Sequence, residues 1–327
     1  MTRRLTVKHE NWSIAGEFTI SRGGKIAADV VVVELEEEGK VGRGECVPYT
    51  RYSEAIDGVI AAIEDLRGPL ESGVGRQRLR ALLRPGAARN AVDCALWDLE
   101  AKRSGTPVWK LAGLSQPKDL VTAYTVSLDT PEKMAAAAAA NAQRPALKLK
   151  LGGAQDLARI QAVHQAAPAA ALIVDANEAW SVEDYRSLVP QLAGFGVILI
   201  EQPFPADQDA ALLEVQKPIP VCADESCHDI PTMKTLIGKY QAVNIKLDKT
   251  GGLTEGLAMV AEAKRLNFEI MVGCMVATSL AMAPAFLLAQ QAKYVDLDGP
   301  LLLAQDRAGG FTFTGSLMHP NAPALWG

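Results

Sequence analysis

The sequence predicts an α/β protein: a modified TIM-type (β/α) barrel preceded by an N-terminal α+β capping domain. Three observations carry this reading. From about Val121, short apolar runs recur at intervals of roughly 22 to 28 residues, each followed by a helix-forming stretch, as βα units require. The runs are nearly continuous in apolar residues, as expected of parallel strands covered by helices. Their charged residues collect at the C-terminal ends, where barrel enzymes place their chemistry.

The runs are VTAYTVSL, ALKLKL, ALIVDAN, GVILIEQP, PVCADES, AVNIKLDK, EIMVGCM and YVDLDGP, about eight and enough to close a barrel over residues 116–304. Helix starts agree with them. Thr130 and Pro131 form an N-cap and N1 pair before PEKMAAAAAANAQ, and Ser181 with Asp184 resembles a capping pair. An open doubly wound sheet is the runner-up, but neither G-x-G-x-x-G nor G-x-x-x-x-G-K-S/T follows any strand. Gly251-Gly252 reads as a tight turn.

Residues 1–115 mix strands and helices: LTVKHENW, DVVVVELEEEG, SEAIDGVIAAIEDL and NAVDCALWDLEAKRSG. The run Val30 to Glu36 alternates poorly, and GKVGRGECVP follows as a glycine-punctuated return strand, so a β-hairpin suited to act as a lid is expected there.

Of the 327 residues 49% are hydrophobic, and the net charge of -5 is spread among interspersed acids and bases. That pattern excludes a nucleic-acid or anionic-membrane partner and points to a small molecule. The five cysteines, Cys46, Cys94, Cys222, Cys227 and Cys274, are scattered through apolar runs, which suggests reduced thiols and a cytoplasmic setting. MTRRLTVKHENW has no apolar run behind its arginines, so no secretory signal is expected. Ile270 to Gln290 is uncharged and long enough to cross a bilayer. Gly273, Thr278, Ser279 and Pro284 split it instead into a strand and a buried helix.

The strand ends carry Lys148 and Lys150, then Asp175, Glu201, Asp224, Lys246 and finally Asp296 with Asp298. A single charged strand end is usually a solvated loop position, but this many in succession calls for one site. Asp175, Glu201 and Asp224 offer hard oxygen ligands from neighbouring strands, which suits Mg2+, one per subunit, with Mn2+ as the alternative. A purely structural ion-pair network is the competing reading, though burying three carboxylates against so few cations is costly. Lys150 and Lys246 flank the trio and would face each other across a substrate, so that a proton leaves one face and returns to the other. Lys148 points to the same side as Lys150, two residues away, and its charge would help keep Lys150 neutral.

K-L-K, D-A-N, E-Q-P, D-E-S and N-I-K-L-D-K-T-G-G occur in this order, together with G-x-G-E-C-x-P-Y-x-R-Y, G-A-A-R-N-A-x-D-C-A-L-W-D-L and D-L-D-G-P. On these residues, over nearly the whole length, the chain resembles the enolase superfamily in its muconate-lactonising subgroup, and most closely the dipeptide epimerases that act on L-Ala-D/L-Glu. The resemblance implies a cap that closes over the barrel rim, with the tail 305–327 packing back on it. It makes Lys150 and Lys246 the acid/base pair and Asp175, Glu201 and Asp224 the magnesium ligands. Asp296 and Asp298 would hold the substrate ammonium, while Thr125, Lys148, Cys274 and Val276 would line the substrate. Where related epimerases carry a cap-loop arginine for the glutamate carboxylate, this chain has Lys25, which keeps the charge but not the bidentate fork. Arg22 is the alternative cation.

Recycling of murein peptides is the implied role, and a homo-oligomer is left open. Cycloisomerase, syn-dehydratase, o-succinylbenzoate synthase and N-acylamino acid racemase activities share the same lysines and carboxylates. Asp296 and Asp298 argue against anionic diacids, and no histidine stands at a strand end, His228 being nearest. A non-catalytic barrel would be expected to have lost core residues, and none is lost.

Overall fold

A computed structural model describes residues 3–327. The first two residues of the stretch lacking a signal-like apolar run lie outside them.

The N-terminal unit is a three-stranded antiparallel sheet, β1 (Arg4–Ile20), β2 (Gly23–Glu37) and β3 (Lys40–Cys46), in that order, followed by helices. The poor alternation of Val30 to Glu36 has a physical cause. Val31, Val33 and Leu35 enter the cap core with Leu79, Leu96 and Leu99, whereas Val30 and Val32 join the barrel core on the opposite face. A strand buried on both faces loses its polar register.

The long cap helix Ala87–Ser104 lies across β3. Its close approach needs Gly42 and Gly44, where a Cβ would collide with the carbonyl oxygens of Ala95 and Ala91. The β2–β3 hairpin is therefore packed into the cap, and the expectation that it forms the lid is corrected. The lid is the β1–β2 hairpin, whose turn residues Ser21 and Arg22 both donate to the Asn177 carbonyl on the barrel rim. The sequence hid this because residues 13–20, with an irregularity in register between Ser13 and Phe18, do not read as strand.

All eight expected barrel strands are present as one parallel sheet, in sequence order from Tyr124–Val126 to Tyr294–Asp296. The first and last strands meet through Ala123 N donating to Val295 O at 2.9 Å and Leu297 N donating to Thr122 Oγ1 at 2.8 Å. Side chains alternate with period two. Leu147, Leu149, Leu172, Val174 and Ile200 face the outer helices, while Ile173, Leu199, Cys222, Ala242, Met271 and Tyr294 fill the interior. Two residues further along each interior row stand Asp175, Glu201, Asp224, Asn244, Gly273 and Asp296, so the barrel has an apolar floor and a charged upper layer.

The capping expectations hold. Thr130 accepts from Lys133 N ahead of Pro131, and Ser181 with Asp184 forms a reciprocal capping box. The uncharged run splits into strand Glu269–Gly273 and buried helix Ser279–Ala289, and among the described residues no helix is long and apolar enough to cross a membrane. All five cysteines are free. At the far end of the chain, Trp326 donates to Cys94 O, Gly327 N to Asp98, and Arg43 to Ala324 O and Leu325 O, all cap partners.

Candidate active site at the barrel rim

A cavity of about 490 Å³ lies between the charged layer and the cap. From the barrel it is walled by Thr125, Lys150, Asn177, Asp224, Glu225, Lys246, Cys274, Val276, Asp296 and Asp298, and from the cap by Phe18, Arg22, Lys25 and Tyr52 among others.

Strand register sets the carboxylates side by side. Lys150 pairs across the sheet with Asp175, Asp175 with Glu201, and Glu201 with Cys222, two residues before Asp224. Like charges opposite each other are unfavourable, so compensation must come from cations. Lys150 Nζ donates to Asp175 Oδ2 at 2.6 Å, and Lys246 Nζ donates to Asp224 Oδ2 at 2.6 Å. Lys249, fully buried and placed at the end of the sixth strand by the sequence but given no role, donates to Asp224 Oδ1 at 2.6 Å and to Asn244 O at 3.1 Å.

Lys148 departs from the expectation that it lines the substrate. It is completely buried beneath the cavity, 2.8 Å from Asp296 Oδ2, 2.6 Å from Glu201 Oε2 and 3.2 Å from Asp175 Oδ2. Its ammonium is the counter-charge for three carboxylates, which is why a strand can hold two lysines on one face. Asp175 and Glu201 likewise lie below the cavity wall rather than on it.

The protonation pattern follows from this pairing. Burial works against the Asp175 charge, but Lys150 and Lys148 overcome it and hold the carboxyl below the usual carboxylate range. Lys246 and Lys249 do the same for Asp224. Burial and the facing Asp175 instead push Glu201 up to about 7. Burial disfavours charge on Lys246 too, yet Asp224 raises it well above the ordinary lysine value.

Among the described residues, no three acidic, cysteine or histidine side chains converge as a metal cluster, and Asp175 and Asp224 are ion-paired with Lys150 and Lys246. The donor set nonetheless fits a hard divalent cation: three carboxylates stand on adjacent strand ends. Glu201 Oε2 is buried and accepts no hydrogen bond, its contact with Lys148 lying outside hydrogen-bond geometry.

On the far side of the cavity, Asp296 Oδ1 is buried without a donor, and Asp298 Oδ2 accepts from Thr125 N at 2.6 Å. Burial and the neighbouring Asp296 push Asp298 up to about 7. Phe18 of the cap has the ammonium groups of Lys25, also from the cap, and of the barrel's Lys150 each 5.9 Å from its ring centroid. Burial and, less strongly, Lys150 lower the Lys25 pKa, with Asp29 acting against them. Lys25 has no ion pair among the described residues.

Arg22 does not compete for the role of free cation. One terminal nitrogen donates to Asn177 O at 2.9 Å and Glu178 at 3.2 Å, the other to Glu225 at 2.7 Å and Tyr49 at 3.3 Å. His228 is a packing residue, edge-on to Tyr52 and hydrogen-bonded to Glu225 O. The sequence contained Asn177, Glu225 and Tyr52 within quoted motifs, but only the closed cap brings them to one cavity.

Residues 2–113 match the family model described as mandelate racemase / muconate lactonizing enzyme, N-terminal domain, and residues 132–322 the model described as enolase C-terminal domain-like. An L-Ala-D/L-Glu epimerase of Escherichia coli (strain K12) is 47% identical over 97% of this chain and 99% of its own length. An N-acetyl-D-glutamate racemase of Pseudoalteromonas sp is 45% identical over 91% of this chain and 95% of its own. A solved structure of an enolase family member from Agrobacterium tumefaciens with homology to dipeptide epimerases, holding sodium and L-Ala-L-Glu, superimposes with a TM-score of 0.98. It is 52% identical over 99% of this chain and 100% of that one. Structures of other dipeptide epimerases hold magnesium with a dipeptide.

Proposed function

We propose, on the premise that this chain belongs to the mandelate racemase / muconate lactonizing enzyme family of the enolase superfamily, that it is a dipeptide epimerase. It inverts the C-terminal α-carbon of L-Ala-D/L-Glu-type dipeptides. The observation that carries the reading is the pairing, in one cavity, of two lysines from the second and sixth barrel strands with an acidic pair, Asp296 and Asp298, on the eighth.

Lys150 and Lys246 are the two acid/base residues, one removing the α-proton and the other returning a proton to the opposite face. Their present partners, Asp175 and Asp224, hold both lysines at the cavity wall, where a substrate α-carbon has to lie between them. Asp175, Glu201 and Asp224 would hold one Mg2+ per subunit, with Mn2+ able to replace it. When bound, the cation would offset the negative charge that develops as the α-carbon loses its proton.

Asp296, with its free Oδ1, and Asp298 bind the substrate ammonium, and Lys25 attracts the side-chain carboxylate of a C-terminal glutamate. Thr125, Cys274 and Val276 form the walls. Lys148 keeps the carboxylate layer charged and in place. The limits 1–115 for the cap, 116–304 for the barrel and 305–327 for a tail returning to the cap belong to the same proposal, as does a cytoplasmic setting, supported by five free cysteines. That substrate class suits recovery of murein peptides.

Racemisation of N-acyl amino acids is the second reading, favoured by the N-acetyl-D-glutamate racemase relative. An acylated nitrogen carries no charge and would leave the buried Asp296 Oδ1 without a cationic donor on the cavity side, Lys148 being the ion-pair partner of the other oxygen. Proton NMR in deuterium oxide decides: L-Ala-L-Glu should lose its glutamyl α-proton signal and give the L-Ala-D-Glu diastereomer. Chelator should stop this and Mg2+ restore it. Exchange confined to N-acetylglutamate would replace the dipeptide reading.

A further inference from the structure

Both cap loops that roof the cavity end on one barrel carboxylate that is not part of the cavity wall. Glu178 Oε2 accepts from Arg51 Nε at 2.7 Å and Arg22 at 3.2 Å, and its Oε1 accepts from the second terminal arm of Arg51 at 2.7 Å. Ala206 N, from the loop after the fourth barrel strand, donates to Oε1 at 2.9 Å and fixes the carboxylate from below. Arg22 belongs to the β1–β2 turn and Arg51 to the segment after β3, so two cap segments, also joined by Arg22 donating to Tyr49, share one barrel carboxylate, while Arg22 also reaches Asn177 O and Glu225. The backbone is shaped for this. Asn177 and Glu178 are consecutive non-glycine residues with positive φ, 44° and 70°, and the turn they make presents the Asn177 carbonyl to Ser21 and Arg22.

We infer that Glu178 is a positioning residue that clasps both cap loops onto the barrel, so that access to the cavity is governed by the Arg22–Glu178–Arg51 contacts. The inference rests on the epimerase reading for its kinetic consequence only. Arg51 is bound in bidentate fashion and Glu178 is nearly buried, so the contacts are stronger than those of an isolated surface pair. Because Glu178 does not line the cavity, losing its charge should loosen closure without touching the reacting atoms.

The test compares wild type with Glu178→Gln, Arg51→Ala and the double variant. Hydrogen–deuterium exchange of the substrate-free proteins should quicken by about ten-fold in residues 16–26 and 48–53 of each variant, with the barrel unchanged. In turnover of L-Ala-L-Glu, KM should rise by about ten-fold while kcat stays level or increases, a split that general unfolding does not produce. The double variant should lose less than the two single losses combined, as expected for residues acting through one contact. Unchanged exchange in both loops overturns the inference, as does a fall in kcat with KM unaltered. If Glu178→Gln fails to fold, Arg51→Ala decides by the exchange of residues 16–26 alone, because Arg51 itself lines the cavity. Failure of the protein to turn over any dipeptide would count against the epimerase reading, and the exchange experiment would still decide the clasp.

Discussion

The Lys150 ammonium sits 2.6 Å from Asp175 Oδ2, on the residue directly opposite it in the neighbouring barrel strand. Lys246 holds Asp224 Oδ2 at the same distance of 2.6 Å from the other side of the trio, two residues further along its strand than the register partner of Asp224. If the two lysines serve opposite faces of one carbon, removing either should stop inversion but leave proton exchange on one face. Lys150→Ala and Lys246→Ala should each lower epimerisation by roughly 10²- to 10⁴-fold. Each should still exchange the α-proton of one diastereomer, a different one for each variant, as read by NMR in deuterium oxide. Full activity in both variants would remove the two-base assignment.

Lys25 faces the cavity without an ion pair among the described residues, whereas Arg22 is consumed by barrel partners. Lys25→Met should therefore raise KM for L-Ala-L-Glu by about 10- to 100-fold while changing little for dipeptides with an apolar C-terminal residue. Lys25→Arg should sharpen the preference for glutamate, because the fork can meet both carboxylate oxygens. Steady-state kinetics on a short dipeptide panel measures both. Equal losses on all dipeptides would assign Lys25 to the framework.

Asp93, on the long cap helix, accepts from Thr254 N at 2.9 Å and Thr254 Oγ1 at 2.6 Å at the start of the helix Leu253–Arg265. Burial pushes its carboxyl up to about 6, against the pull of those hydrogen bonds. The folded state thus keeps the proton more tightly than the unfolded chain does. The associated stability is fully present below about pH 4 and is lost as pH rises through about 6. Asp93→Asn, which can still accept from the backbone N–H and donate to the hydroxyl, should flatten this dependence. Denaturant unfolding at pH 4.5 and 7 should show a smaller difference in the variant, by on the order of 2 kcal/mol. Parallel pH profiles would mean Asp93 is ionised throughout.

The contact of β3 with the long cap helix has no room for a side chain at Gly44. Gly44→Ala should destabilise the protein by at least about 1–3 kcal/mol, through displacement of the Ala91 turn of the helix. A melting temperature lowered by several degrees is the expected result, against no loss and a slight gain for Gly58→Ala, which has open space inside the helix Ile56–Glu64. An unaltered melting temperature would show that sheet and helix can part without cost.

Much of the fold was legible because barrel strands obey two independent periods. The βα repeat counted eight strands, and each is found in the sheet in sequence order. The strand ends located Asp175, Glu201, Asp224 and Asp296 at one rim, and in the structure alternation turns all four to the interior side, since neighbours two apart share a face. Capping at Thr130 and Ser181 depended only on residues three or four apart, so it too was readable.

The tertiary structure alone decided which of several equivalent charges does what. Lys148 and Lys150 are indistinguishable by alternation, yet one is sealed among three carboxylates and the other reaches the cavity. Arg22 and Lys25 are neighbours in one loop, yet the turn commits Arg22 to Asn177, Glu178 and Glu225 and leaves Lys25 free. The two-sided burial of β2 and the choice of the β1–β2 hairpin as lid arise in the same way. Local sequence specifies which face a side chain occupies, because that depends on backbone geometry over a few residues. Its partner depends on how far barrel closure and cap docking bring together groups more than a hundred residues apart, and no local period encodes that distance.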